Sequence, residues 1–192
     1  HYTGMQSKRV SISRLSNPNS KVSCHYLIDR KGEIIQMVND NKIAWHAGKS
    51  RWKNLINLND NSIGIELVNK GHKLGYQKFH SKQISSLTNL CQTLKRKYKI
   101  KPTNILGHSD IAPLRKIDPG EKFPWFHLSK KGLGIWYKKI NYRKSDKDRK
   151  KIRKDNFKNL FVIGYRYSSK RSTSIKEKYL IKAFQMRFRL TN

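Results

Sequence analysis

The run Gly107-His108-Ser109-Asp110-Ile111-Ala112-Pro113 leads through Arg115 and Lys116 to Asp118-Pro119-Gly120. An imidazole and a carboxylate, His108 and Asp118, are thus ten residues apart across a stretch stiffened by Pro113 and by Pro119 directly after the carboxylate, and can converge on one point. That pair is common among zinc ligands, and one further histidine completes a three-ligand site with a fourth position open to water. Taken alone, such a spacing describes surface polar residues more often than ligands.

The elements that must position these residues follow from periodicity. Val22 to Ile28 and Glu33 to Val38 predict two strands joined by Asp29-Arg30-Lys31-Gly32, where glycine supplies a positive φ. Ser62 to Val68 places Ile63, Ile65 and Leu67 on one face and projects Glu66 from the other, as a strand half on the core does. From Ser81 as N-cap, Ile84, Leu87, Leu90, Cys91, Leu94 and Tyr98 recur at helical spacing, with Lys95 to Lys99 at the negative end of the dipole. After Pro102, Asn104-Ile105-Leu106-Gly107 predicts a short buried strand that delivers His108. Hairpin, strand, helix and strand make an α/β fold with a central mixed sheet flanked by helices.

The chain has 192 residues, with 43 Lys plus Arg against 12 Asp plus Glu, a formal net charge of +31. Hydrophobic residues at 36% are spread widely enough to bury a core, which argues against wholesale disorder. Apolar runs such as Leu160 to Gly164 fall far short of the roughly 20 residues of a membrane-spanning helix, so no transmembrane segment is expected. The composition changes near Lys130: glycine, proline, histidine and tryptophan dominate the interesting stretches before it, and Lys, Arg, Tyr, Phe and Ile dominate after it. We therefore expect one domain over 1–129, a linker over 130–146 and a small helical domain over 147–192. In the last, Phe157, Leu160, Phe161 and Ile163 form one apolar stripe and Ile175, Tyr179, Leu180, Ala183, Phe184 and Phe188 another, while Asp146 to Lys154 reads as a solvated helix start. Cys24 and Cys91 lack metal-type spacing and read as two buried thiols, with a disulfide as the alternative. Basic charge interleaved with Tyr and Phe also suits a nucleic-acid binder. No helix-turn-helix, zinc-finger or RNA-recognition signature accompanies it, so no specific nucleic-acid partner is expected.

The stretch from His108 to Gly120, with Phe123-Pro124-Trp125 after it, resembles the zinc-dependent N-acetylmuramoyl-L-alanine amidases of the AmpD-like type. His1-Tyr2-Thr3, His25-Tyr26-Leu27-Ile28, Asp29 to Gly32, Trp45-His46-Ala47-Gly48 and Asn61 to Glu66 follow the same pattern in the same order, so the resemblance covers roughly residues 1 to 128. It implies the fold of the peptidoglycan recognition proteins and phage amidases, with a zinc groove on the mixed sheet. More weakly, Ala183-Phe184-Gln185-Met186-Arg187-Phe188-Arg189, with Gly164-Tyr165 before it, is similar to the last helix of the peptidoglycan-binding modules that follow some of these amidases.

Carried over position by position, the resemblance makes His1, His108 and Asp118 the ligands of one Zn²⁺, and Glu66 and Lys116 the catalytic pair. Zinc lowers the pKa of a water toward 7, a nearby carboxylate can take its proton, and an ammonium can face the developing oxyanion. Trp45, His46, Ala47 and Arg115 are the expected substrate-binding residues. His25 reads as structural, and His72, His80 and His127 as surface residues. The implied reaction is hydrolysis of the amide between N-acetylmuramic acid, or its anhydro form, and L-alanine of the stem peptide, in wall turnover or muropeptide recycling. The substrate is then peptidoglycan or a muropeptide, the enzyme a monomer, and its place the bacterial envelope (periplasm) ahead of a cytoplasmic recycling role.

Leu114 and Ile117 depart from the Gly and Thr common in relatives, which puts the path of the Lys116–Asp118 loop in question. His1 has no preceding strand here, so upstream residues are expected to be missing from this sequence. Two other readings stay open at this stage: a noncatalytic wall-binding module, and copper chelation by the amine and imidazole of His1.

Overall fold

The computed structural model describes residues 1–137, 158–167 and 173–189. The expected linker beyond residue 137, the charge run Asp146 to Lys154, and Phe157 lie outside the described residues.

The sheet has three strands, β1 (Tyr26–Ile28), β2 (Ile34–Gln36) and β5 (Ile65–Leu67), in the order β2-β1-β5. It is mixed as expected: β1 runs antiparallel to β2, with Leu27 opposite Ile35, and parallel to β5, with Leu27 opposite Glu66. Asp29 closes the hairpin by accepting from the N–H groups of Lys31 and Glu33, and Gly32 takes the positive φ (92°). A two-stranded ribbon of β3 (Arg51–Trp52) and β4 (Leu55–Ile56) lies apart from this sheet.

Helices cover both faces. Ile28 and Leu67 meet Ile84 and Leu87 of α3 (Ser81–Lys97), with Phe123, Trp125 and Leu128 completing that cluster. On the other face Leu27 and Val68 meet Leu15 of α1 (Lys8–Ser16) and Cys24. Between β5 and α3 lies the four-residue α2 (Gly71–Leu74). After α3 come α4 (His108–Ile111), α5 (Trp125–Lys130), a helical stretch α6 over 158–163, and α7 (Thr173–Phe188). Leu160, Tyr165, Leu180 and Ala183 from this last part share a buried cluster with Ala47, Trp52, Leu58, Ile111 and Ala112. Of the expected α7 stripe, Leu180, Ala183 and Phe188 are buried and Phe184 is partly buried against this cluster, with α4 among the partner elements, whereas Ile175 and Tyr179 at its N-terminal end are exposed.

Four expectations are corrected. The strands are three residues each, shorter than predicted, and Cys24 stands just before β1 rather than within it. His80, not Ser81, is the N-cap of α3, without a side-chain cap bond. Cys24 is buried but Cys91 is only half-buried, and both are free thiols. Finally, 104–107 forms no strand: a 3₁₀ turn (Pro102–Asn104), closed by the Ile105 N–H donating to the Pro102 carbonyl, is followed by extended chain. Arg187 donates to the Ile105 carbonyl and Gly107 N–H donates to Asp110. A cavity of about 630 Å³ has Ile65 and Leu67 of β5 and Ile105 and Leu106 of this stretch among its lining residues. The Ile105 carbonyl and the Gly107 N–H are thus paired without a ladder.

Candidate metal centre

His1 is placed by β5. Its amine donates to the Ile65 carbonyl (2.9 Å), Leu67 N–H donates to the His1 carbonyl (3.1 Å), and Thr3 N–H donates to that of Leu67 (3.0 Å). The amine is therefore engaged with the sheet, and the imidazole alone is left to face the site. His108 opens α4, and Asp118 is tied to it by the Ser109 N–H donating to the Asp118 carbonyl (2.8 Å). Gly107 admits the close approach of Pro119, whose Cδ would lie 2.6 Å from any Cβ there.

Three donor atoms meet as a result. His1 Nδ1 lies 2.9 Å from His108 Nδ1 and 3.0 Å from Asp118 Oδ2, and His108 Nδ1 lies 3.2 Å from the same oxygen. Ligands about 2.0–2.1 Å from a tetrahedral ion are separated by roughly 3.3 Å, so the triangle fits one small divalent cation. Among the described residues it is the one cluster of this kind.

The surroundings fix which nitrogens face inward. His108 Nε2–H donates to the Ala47 carbonyl (2.9 Å), which leaves the Nδ1 lone pair toward the site. Arg115 braces the same carbonyl (2.6 Å) and that of Lys49 (3.0 Å), and Asn59 Oδ1 accepts from the N–H groups of His46 and Ala47. His46 Nδ1 sits 3.3 Å from His1 Nε2 and can accept its proton, which again leaves Nδ1 of His1 free. Burial, with His1 and His25 nearby, pushes the pKa of His46 down to about 3, so it is neutral at any working pH. Burial and His1 likewise lower His108 to about 4. Burial opposes ionisation of Asp118, but His108 and His1 overcome it and hold the carboxyl well below the usual range. For His1, burial is outweighed by Asp118 and Glu66, and its pKa is raised.

Glu66 projects from β5 beside this triangle. Burial raises its pKa to about 7, against the opposing pull of His1 and Lys116, and its Oε2 is buried with no hydrogen-bond partner. Lys116 is half-buried, and its ammonium acts electrostatically on His1, His108 and Glu66 alike. The structure thus gathers His1, His108, Asp118, Glu66 and Lys116. Of the expected substrate-binding residues, His46, Ala47 and Arg115 stand behind the two histidines, whereas Trp45 is 53% exposed, its backbone held by Ser23. His25 is structural as expected, accepting from Gly64 N–H and bonding the Lys42 carbonyl. His72, His80 and His127 are exposed. Sequence reasoning missed Asn59 and the buried contacts that Tyr165 and Arg187 make with Asp110, which no local spacing could reveal.

Two imidazoles and one carboxylate that converge on one point, with a buried carboxylate alongside, form a donor set that could hold one metal ion, as mononuclear hydrolase sites do. The chain belongs to the N-acetylmuramoyl-L-alanine amidase family (Amidase_2), whose model matches residues 1–121. It is 40% identical over 148 residues to the N-acetylmuramoyl-L-alanine amidase AmiD of Escherichia coli, a match covering 71% of this chain and 52% of that one. It is 45% identical over 106 residues to the 1,6-anhydro-N-acetylmuramyl-L-alanine amidase AmpD of Haemophilus influenzae, covering 55% of each. The chain thus spans about half the length of these curated relatives. The solved structure of E. coli AmiD with anhydro-N-acetylmuramic acid-L-Ala-D-gamma-Glu-L-Lys superposes with a TM-score of 0.81 at 34% identity, covering 98% of this chain and 78% of that one. AmpDh3 from Pseudomonas aeruginosa gives 0.83 at 32%, covering 98% and 81%. The mixed sheet with flanking helices and the helical C-terminal part are common to these folds.

Proposed function

We propose that this chain is a zinc-dependent amidase that hydrolyses the bond between N-acetylmuramic acid, or its anhydro form, and L-alanine of the stem peptide. The convergence of His1 Nδ1, His108 Nδ1 and Asp118 Oδ2 beside Glu66 carries this reading. Family membership and the anhydro-muropeptide named for the AmiD complex support the substrate class. Zinc held by the three donors would supply Lewis acidity, polarising the amide carbonyl and acidifying a water. Glu66, basic because it is buried, takes the proton of the attacking water and returns it to the leaving amine. Lys116 faces the oxyanion with its ammonium. Arg115, Ala47 and His46 hold the two histidines in the required tautomers, and Trp45, next to His46 in sequence, offers an exposed ring for sugar or peptide. Residues 1–129 carry the chemistry; the small second domain expected from the sequence over 147–192, after a linker over 130–146, gives the two-part plan that favours action in the envelope over cytoplasmic recycling. No described helix is long and apolar enough to cross a membrane.

The test is hydrolysis of purified muropeptides followed by mass spectrometry, with chelator and with zinc restored. Free stem peptide that disappears on chelation and returns with zinc is the expected result. Intact muropeptide in every condition, with zinc bound, would overturn the assignment. Comparison of anhydro with reducing sugars separates recycling from wall cleavage.

A further inference from the structure

Asp110 lies two residues beyond His108 on the same short helix and is 1% exposed. Its carboxylate has three partners. Gly107 N–H donates to Oδ2 (2.8 Å), the Tyr165 hydroxyl donates to Oδ1 (2.6 Å), and Arg187 Nη1 donates to Oδ2 (2.5 Å). Tyr165 is fully buried and Arg187 is 4% exposed, so both belong to the interior although they are 55 and 77 residues away in sequence. Arg187 also donates to the Ile105 carbonyl (3.0 Å), on the other side of His108, and its guanidinium lies 3.8 Å over the ring of Trp125. One side chain of α7 therefore grips the His108 loop at both ends and rests on the segment that follows Asp118.

A buried carboxylate is tolerated only where donors replace its water. Here two of the three come from the C-terminal part, and neither touches the metal donors. We infer that Tyr165 and Arg187 are positioning residues for the metal centre: through Asp110 they fix the turn Gly107–Asp110 and so hold His108 Nδ1 at its 2.9 and 3.2 Å separations from His1 and Asp118. The C-terminal helices then have a role in assembling the metal site, apart from any affinity for glycan. This rests on the zinc reading above. Partners that hydrogen-bond a ligand directly alter metal affinity by about 10–100-fold when removed, and groups acting one contact further out belong at the lower end of that range.

The test is zinc affinity, read by competition with a chromophoric chelator, together with the visible spectrum of the Co²⁺-substituted full chain. Tyr165→Phe removes one hydroxyl at nearly constant volume and should weaken zinc about tenfold and shift the Co²⁺ bands. Arg187→Met should weaken it more, and Arg187→Lys should restore only part, since an ammonium cannot bridge Asp110 and Ile105 as the planar fork does. Lys178→Ala, on the exposed side of α7, should bind as the parent does. Should Arg187→Met fail to fold, Tyr165→Phe decides. Parental zinc affinity and an unchanged Co²⁺ spectrum in folded Tyr165→Phe and Arg187→Lys would overturn the inference even if their melting temperatures fall. A parent chain that takes up no zinc overturns the proposed function instead, so the two failures are distinct.

Discussion

Replacing Glu66 by Gln should make the protein more stable and nearly inactive, and both effects follow from one side chain. Burial lifts the Glu66 carboxyl from 4.5 to about 7, and Oε2 has no partner to hold a charge. A shift of this size corresponds to about 3 kcal/mol between the two protonation states. The sign follows from the raised folded-state pKa. The folded chain holds the proton more tightly than the unfolded one, so this contribution is fully present below pH 4.5 and is lost as pH rises through about 7. At pH 8 the metal-free parent carries the cost of a buried, unpartnered carboxylate, and Glu66→Gln, neutral at every pH, does not. Chemical denaturation of the chelated proteins should show the variant ahead by up to about 3 kcal/mol at pH 8 and close to parity at pH 4.5.

Turnover should move the other way. A positioned general base contributes about 10²–10⁴-fold, so the zinc-loaded variant should lose about 3–5 kcal/mol of transition-state stabilisation while keeping its metal. The acidic limb of the parent's kcat/KM profile should lie at or below pH 7, because the added cation pulls the carboxyl down from its metal-free position, and the variant should lack it. Muropeptide cleavage by the loaded variant within tenfold of the parent would refute the role given to Glu66. An unchanged denaturation midpoint at pH 8 would refute the account of its burial.

Three further outcomes are expected. His108→Ala should lose zinc, measured as metal per chain by atomic emission, and a stoichiometry equal to the parent's would count against the donor set. In Gly64→Ala the new Cβ would lie 2.2–2.6 Å from ring atoms of His46, which stands behind His1, so the ring must move; a loss of about 1–3 kcal/mol in stability and weaker zinc binding should follow, read by denaturation and chelator competition. Zinc at a hundredfold excess over its Kd should stabilise the chain by about 2.7 kcal/mol, roughly 5–10 °C in melting temperature, and a calorimetric scan indifferent to zinc and chelator would speak against a preformed site.

What could be read from sequence was set by the range of the interactions. The β1–β2 hairpin and the α3 stripe are local: Asp29 and Gly32 close the turn within four residues, and Ile84, Leu87 and Leu94 repeat at the period of one helix. The donors were legible for another reason, since His108 and Asp118 share one loop and the motif order ties His1 to them. The 104–107 strand failed because apolar composition says that a segment is buried and not where its N–H and C=O groups go. The Ile105 carbonyl goes to Arg187 and the Gly107 N–H to the Asp110 carboxylate, partners that no periodicity announces.

The same contacts bear on how the C-terminal part is best regarded. Composition sets it apart, with 21 basic and 4 acidic residues after position 129 against 22 and 8 before it. Its described apolar residues, however, do not form a core of their own: Leu160, Tyr165, Leu180 and Ala183 are buried together with Ala47, whose carbonyl His108 bonds, and with Ile111 and Ala112, which follow His108 by three and four residues. Ala47 supplies the carbonyl that fixes the His108 tautomer, and Ile111 closes the short helix that His108 opens. Packing and the Asp110 ion pair therefore act on the same turn, one through volume and the other through charge. Loss of either should loosen His108 before it unfolds the sheet, because β1, β2 and β5 draw their own core from α1 and α3.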